Sequence, residues 1–84
     1  MAKKEYPYHY TIYTVPDDTI YQKQCDALES HVPGIKKGIE LHDVDGSRIQ
    51  FYECQGKELR VWNDYDVGAV YVESEIDLEP FFEG

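Results

Sequence analysis

Three histidines, two cysteines and an excess of carboxylates are the side chains in this 84-residue chain with chemistry to offer. His9, His31 and His42 stand singly, and Cys25 and Cys54 do not form a C-x-x-C pair. A Cys25/His42/Cys54 metal site would need three isolated ligand types to converge, and no spacing supports that. Asp43-Val44-Asp45-Gly46 begins like a calcium loop, but the later ligands and the closing Glu are missing, so it reads as a turn. Ser30, Ser47 and Ser74 lack the flanks of a nucleophile elbow, and the six glycines are too scattered to cradle a phosphate. Acid–base catalysis needs carboxylates in contrasting environments, and a row of exposed acids does not supply them. No cofactor or metal is implied, and the chain is expected not to be an enzyme.

The carboxylates are distributed unevenly. From residue 61 onward stand Asp64, Asp66, Glu73, Glu75, Asp77, Glu79 and Glu83 with no Lys or Arg, against a net charge of −9 for the whole chain. The first sixty residues hold ten acids and eight bases. Such acidity argues against direct contact with nucleic acid or an anionic membrane and favours a basic partner. In an extended Val67–Glu79, alternate residues Val70, Val72, Ile76 and Leu78 would line one side. Glu73, Glu75, Asp77 and Glu79 would line the other, about 6.5 Å apart.

The elements that must position these groups are set by periodicity. Residues 6–15 read as a first strand, with Tyr8, Tyr10 and Ile12 on one face and Pro7 marking an edge. Asp17 or Asp18 caps a helix whose stripe Tyr21, Cys25, Leu28 and Val32 faces a sheet, and Pro33-Gly34 ends it. His31 sits at the helix C-terminus, where the dipole favours it. Three hairpins come next. A three-residue loop Val44-Asp45-Gly46 sets Leu41 opposite Ile49 and Ile39 opposite Phe51. A second, Cys54-Gln55-Gly56, sets Phe51 opposite Leu59, and a four-residue loop Asn63–Asp66 sets Leu59 opposite Val70.

The expected fold is α+β: one helix on one face of an antiparallel β-meander (β-α-β-β-β-β), in two layers, as a single domain over residues 1–84. Its expected core face is Ile39, Leu41, Ile49, Phe51, Leu59, Val61, Val70 and Val72. With the first and second strands as parallel neighbours, the order is 1-2-3-4-5 and the acidic last strand is an edge. The expected outer face carries Tyr52 and Tyr71 on either side of Glu58, Arg48 opposite Trp62, and Gln50, Arg60 and Ala69 between them. His42 shares that face.

Exposed Tyr and Trp beside Arg have the composition of binding hot spots, although cross-strand aromatic pairs also stabilise sheets without any partner. Four carboxylates in line exceed what protects an edge strand from pairing, and they resemble the charge of a nucleic-acid backbone. Size and charge look like those of small phage-encoded antagonists and bacterial immunity proteins, a similarity of type that transfers no residues. The sequence therefore implies a non-catalytic inhibitor of a basic nucleic-acid-handling protein, acting as a nucleic-acid mimic. Asp64, Asp66, Glu73, Glu75, Asp77 and Glu79 form its expected contact surface, with Tyr52, Trp62 and Tyr71 adding desolvated contacts. An immunity protein against a nuclease toxin, or an assembly module dimerising through the aromatic face, is the alternative. With no signal peptide and no apolar run near 18 residues, a cytoplasmic location is expected, with free thiols at Cys25 and Cys54.

Overall fold

The computed structural model describes residues 6–82. Its elements run β1 (Tyr8–Tyr13), α1 (Asp18–His31), β2 (Lys36–His42), β3 (Arg48–Cys54), β4 (Lys57–Asp64), β5 (Ala69–Ser74) and a short terminal α2 (Glu79–Phe82). The five strands form one antiparallel sheet with α1 on one face, the expected α+β class. Among the described residues no helix is long and apolar enough to cross a membrane.

Capping fixes both ends of α1. The Asp17 carboxylate accepts from the Ile20 N–H at 2.9 Å, satisfying one of the orphan donors of the first turn. At the other end the Val32 N–H donates to the Leu28 carbonyl, and Gly34 turns the chain with φ of 74°. His31 Nδ1 meets the Ala27 carbonyl at 2.9 Å in the last turn. Tyr21, Cys25, Leu28 and Val32 form the buried stripe, as their spacing predicts.

The strand order is β1-β5-β4-β3-β2, which corrects the expected 1-2-3-4-5. β1 pairs antiparallel with β5, and α1 carries the chain across the sheet to the opposite edge. The acidic strand β5 is therefore interior, and β1 and β2 are the edges. It is also shorter than the alternation suggests. The Ser74 hydroxyl donates to the Ile76 carbonyl and accepts from the Ile76 N–H, bending the chain away after residue 74. Glu75, Asp77 and Glu79 thus never join a straight row.

Hairpin registers decide which faces are buried. Next to their loop β2 and β3 pair as expected, with Leu41 opposite Ile49, but a register slip removes the expected Ile39–Phe51 pair; the Asp43 N–H to Ser47 carbonyl bond closes the three-residue loop with Gly46 at φ 94°. The next turn has two residues, Gln55 and Gly56, both at positive φ, and Cys54 lies opposite Lys57. The expected three-residue loop differs by one position, which reverses the facing of β3 relative to β4. Tyr52 and Gln50 consequently point toward α1 beside Leu59 and Val61, while Ile49 and Phe51 point outward. The loop between β4 and β5 is Tyr65–Gly68 rather than residues 63–66, so Leu59 lies opposite Ser74 and Val61 opposite Val72.

The core is therefore Tyr21, Cys25, Leu28, Val32, Tyr52, Cys54, Leu59, Val61, Val70, Val72 and Leu78, with Phe81 of α2 packed against it. Ile39 and Leu41, expected inside, are 66% and 47% exposed. Between Lys37 and Glu40 the β2 register slips at a bulge. The buried Gln50 amide fills that gap, donating to the carbonyls of Gly38, Ile39 and Phe51 at 2.9–3.2 Å. A polar residue is stable inside because these three acceptors satisfy it.

Candidate interaction surface

The antiparallel order places three connections at one end of the sheet, here called the apex: the chain leaving β1, the β2–β3 loop and the β4–β5 loop. Asp17 and Asp18 at the start of α1, Asp43 and Asp45, and Asp64 and Asp66 all gather there. The one basic residue among these apical segments, Arg48, is already engaged. Its Nη2 donates to Glu40 Oε2 at 2.9 Å, its Nη1 lies 3.9 Å from Asp18 Oδ1, and its guanidinium covers the Tyr21 ring. The six aspartates are held mostly by neutral donors. Asp45 accepts from the Ser47 N–H, Asp43 from the Val44 N–H, and Asp18 from the Asn63 amide. Neutral donors leave the negative charge intact. Hydrogen bonds from Ser47, its backbone first, hold the Asp45 carboxyl below the usual aspartate range, so it is ionised at neutral pH.

Asp64 organises this end. It is buried, its Oδ1 accepts from the N–H groups of Asp66 and Val67, and its Oδ2 accepts from the Tyr71 hydroxyl at 2.7 Å. The two hairpin loops are tied together, because the Tyr65 N–H donates to Ser47 Oγ at 2.8 Å and the Tyr65 ring lies against Gly46. Together they present Val44, Tyr65 and Val67 to solvent, the last two 46% and 67% exposed, among Asp43, Asp45 and Asp66. Apolar tips thus stand interleaved with carboxylates on loops held by side-chain bonds.

The residues singled out in the sequence are scattered by the fold. Asp66 is exposed at the apex and Asp64 is its buried scaffold. Glu73 is half-buried on the outer face, accepting from Arg60 Nε at 2.8 Å and Trp62 Nε1 at 2.9 Å. Trp62 and Tyr71 stack with centroids 5.6 Å apart, and Tyr71 is buried. Glu75, Asp77 and Glu79 lie at the opposite end, or base. Glu75 accepts from the Glu58 N–H, and Asp77 accepts from the Tyr10 hydroxyl and the Glu79 N–H. Tyr52, expected on the outer face, is 1% exposed in the core and donates to Glu29 at 2.6 Å. Arg48 lies opposite Asn63 rather than Trp62, and His42 meets Glu40 at 2.8 Å rather than facing outward. Glu83 falls outside the described residues.

Asp17, Asp18, Asp43, Asp45, Val44, Tyr65 and Val67 were missed. The signal was present: alternate loops of a meander share an end, so acids in the second-to-third and fourth-to-fifth connections must meet.

Buried tyrosines and cysteines complete the picture. Burial first, then hydrogen bonding to Glu40, Glu29 and Asp64 respectively, pushes the Tyr21, Tyr52 and Tyr71 hydroxyls well above the usual tyrosine range. Both thiols are free and buried, and burial pushes Cys25 up to about 11, which makes it a poor nucleophile. Among the described residues no three His, Cys, Asp or Glu side chains converge as metal ligands. Compared with protein-family models, curated proteins and solved structures, the chain matches none.

Proposed function

We propose that this chain is a non-catalytic inhibitor that binds a basic nucleic-acid-handling protein through its apex and blocks the surface that would hold phosphates. The observation that carries the reading is the pair of hydrogen-bonded loops presenting Val44, Tyr65 and Val67 among Asp43, Asp45 and Asp66, with Arg48 already paired. Ionised carboxylates there meet Lys and Arg of the partner, and Tyr65 supplies the desolvated anchor typical of binding hot spots. The partner class is a CRISPR effector, a restriction or repair enzyme, or a nuclease. A nuclease toxin as partner would make the chain an immunity protein acting through the same surface.

The test is capture from host lysate by wild type and by a D43N/D45N/D66N variant, followed by a nucleic-acid-binding assay on the captured protein. The expected result is one nucleic-acid enzyme captured by wild type, lost with the amides, released by salt, and unable to bind nucleic acid while captured. Equal capture by the amide variant, or affinity indifferent to salt, refutes the reading.

A further inference from the structure

A cavity of about 320 Å³ opens at the base, where the end of α1, the β3–β4 turn and α2 meet. Val32, Pro33, Cys54, Ile76 and Phe81 supply its apolar lining, and Gln55 and Lys57 complete it. That volume is at the lower end of what small-ligand sites use. The walls are tied to the core. Val32 and Cys54 are buried, and the Phe81 N–H donates to the carbonyl of the fully buried Leu78 at 2.9 Å. The carbonyls that the helix end brings to the cavity are engaged, Val32 accepting from the Ile35 N–H at 3.4 Å and Pro33 from the Cys54 thiol at 3.6 Å. None of the chain's 17 acids is a lining residue. The one charged lining residue is Lys57, which is exposed and has no carboxylate within ion-pair distance among the described residues.

We propose that this cavity binds a small apolar carboxylate, of the class of a medium-chain fatty acid. Its chain lies against Pro33, Ile76 and Phe81, and its head meets the Lys57 ammonium. Apolar walls with satisfied carbonyls favour a hydrocarbon body over a sugar or nucleotide, whose buried hydroxyls would lack partners. One unpaired cation, with no acid in the lining, favours a ligand that ends in a single negative charge. A net charge of −9 makes that lysine the more telling, because a carboxylate is repelled almost everywhere else on the chain. The site lies at the end of the sheet opposite the apex and uses none of its aspartates. It therefore stands or falls without the apex and its partner.

Titration of the full chain with octanoate, octanol and butyrate, followed by NMR, tests this. Octanoate should bind saturably with a dissociation constant of about 1 mM or tighter. It should shift the Val32 and Ile76 methyl and Phe81 ring resonances, a readout that needs no variant to fold. Octanol, with the same chain and no charge, should bind roughly tenfold more weakly. Butyrate, with the charge and a shorter chain, should bind roughly 100-fold more weakly. Lys57→Gln should weaken octanoate to the level of octanol and leave octanol unchanged. Octanoate that fails to saturate by about 10 mM, octanol binding as tightly as octanoate, or K57Q binding octanoate like wild type overturns the proposal. So do shifts that fall on Gly38 and Phe51 of the outer face instead of Val32, Ile76 and Phe81.

Discussion

The apex and the base of the sheet hold similar numbers of acids and differ in the groups that answer them. At the apex, Asp17, Asp18, Asp43, Asp45, Asp64 and Asp66 share one cation among the described residues, and that cation is already paired with Glu40. At the base, Glu29, Glu53, Glu58, Glu75, Asp77 and Glu79 lie among Lys36, Lys37 and Lys57, with Lys37 3.5 Å from Glu29. Backbone N–H groups and amides bind a carboxylate without cancelling its charge, whereas lysines offset it. The number of acids at a surface therefore says less about its field than the chemistry of the groups that hold them.

The largest test of this contrast is a pair of alanine substitutions. Asp64→Ala removes the acceptor for two loop N–H groups and for the buried Tyr71 hydroxyl, and is expected to cost about 2–3 kcal/mol. Glu79→Ala, an exposed acid at the base, should stay within about 0.5 kcal/mol. Urea unfolding of both variants decides it, and equal losses would erase the distinction between a structural apex acid and a peripheral base acid.

Acid pH should strike the apex next. Burial alone would raise Glu40, but hydrogen bonds from Tyr21, His42 and Arg48, and the Arg48 charge, outweigh it and leave its carboxyl below the usual glutamate range. A depressed value in the folded state means the stabilisation is present above the unfolded value and is lost as pH falls through the folded one. The urea midpoint should drop as pH falls below the ordinary glutamate value of about 4.3, and Glu40→Gln should flatten that drop. A Glu40→Gln profile parallel to wild type would show that another group carries the acid response.

The smallest expected effect is on stability when charge alone is removed. D43N/D45N/D66N should leave the melting free energy within about 0.5 kcal/mol while reducing binding to a polylysine probe and its salt dependence. Neutralising Glu53, Glu75 and Glu79 to Gln should change polylysine binding less. Indistinguishable responses would place the charge field over the whole molecule.

Local signals in the sequence were enough for the helix and the first hairpin. Asp17 caps as read, the stripe from Tyr21 to Val32 is buried, and Gly46 takes the positive φ the three-residue loop needs. The second turn misled because Gln55 adopts φ 53°, a left-handed conformation disfavoured for a residue with a side chain, so its two-residue turn leaves no clear mark in the sequence. The inside of β3 misled because Gln50 and Tyr52 are buried polar residues whose acceptors come from the bulge of β2 and from Glu29 on α1, neither of them a neighbour in sequence. The apex was legible only in principle. Its acids come from three separate connections, and only the correct strand directions bring them together.

The pairing of β1 with β5 also bears on how the chain is made. Tyr8 lies opposite Ser74, and the Tyr10 hydroxyl accepts the Leu78 N–H. A ribosome delivers the first strand long before its partner exists. While the hairpins from β2 to β4 can begin to pair as they emerge, β1 must wait uncovered until β5 is made. Closing so long a loop is expected to make this pairing a late step of assembly. Synthesis that stops before Val70 would leave a tyrosine-rich strand with nothing to pair with, a species suited to aggregation and to capture by chaperones.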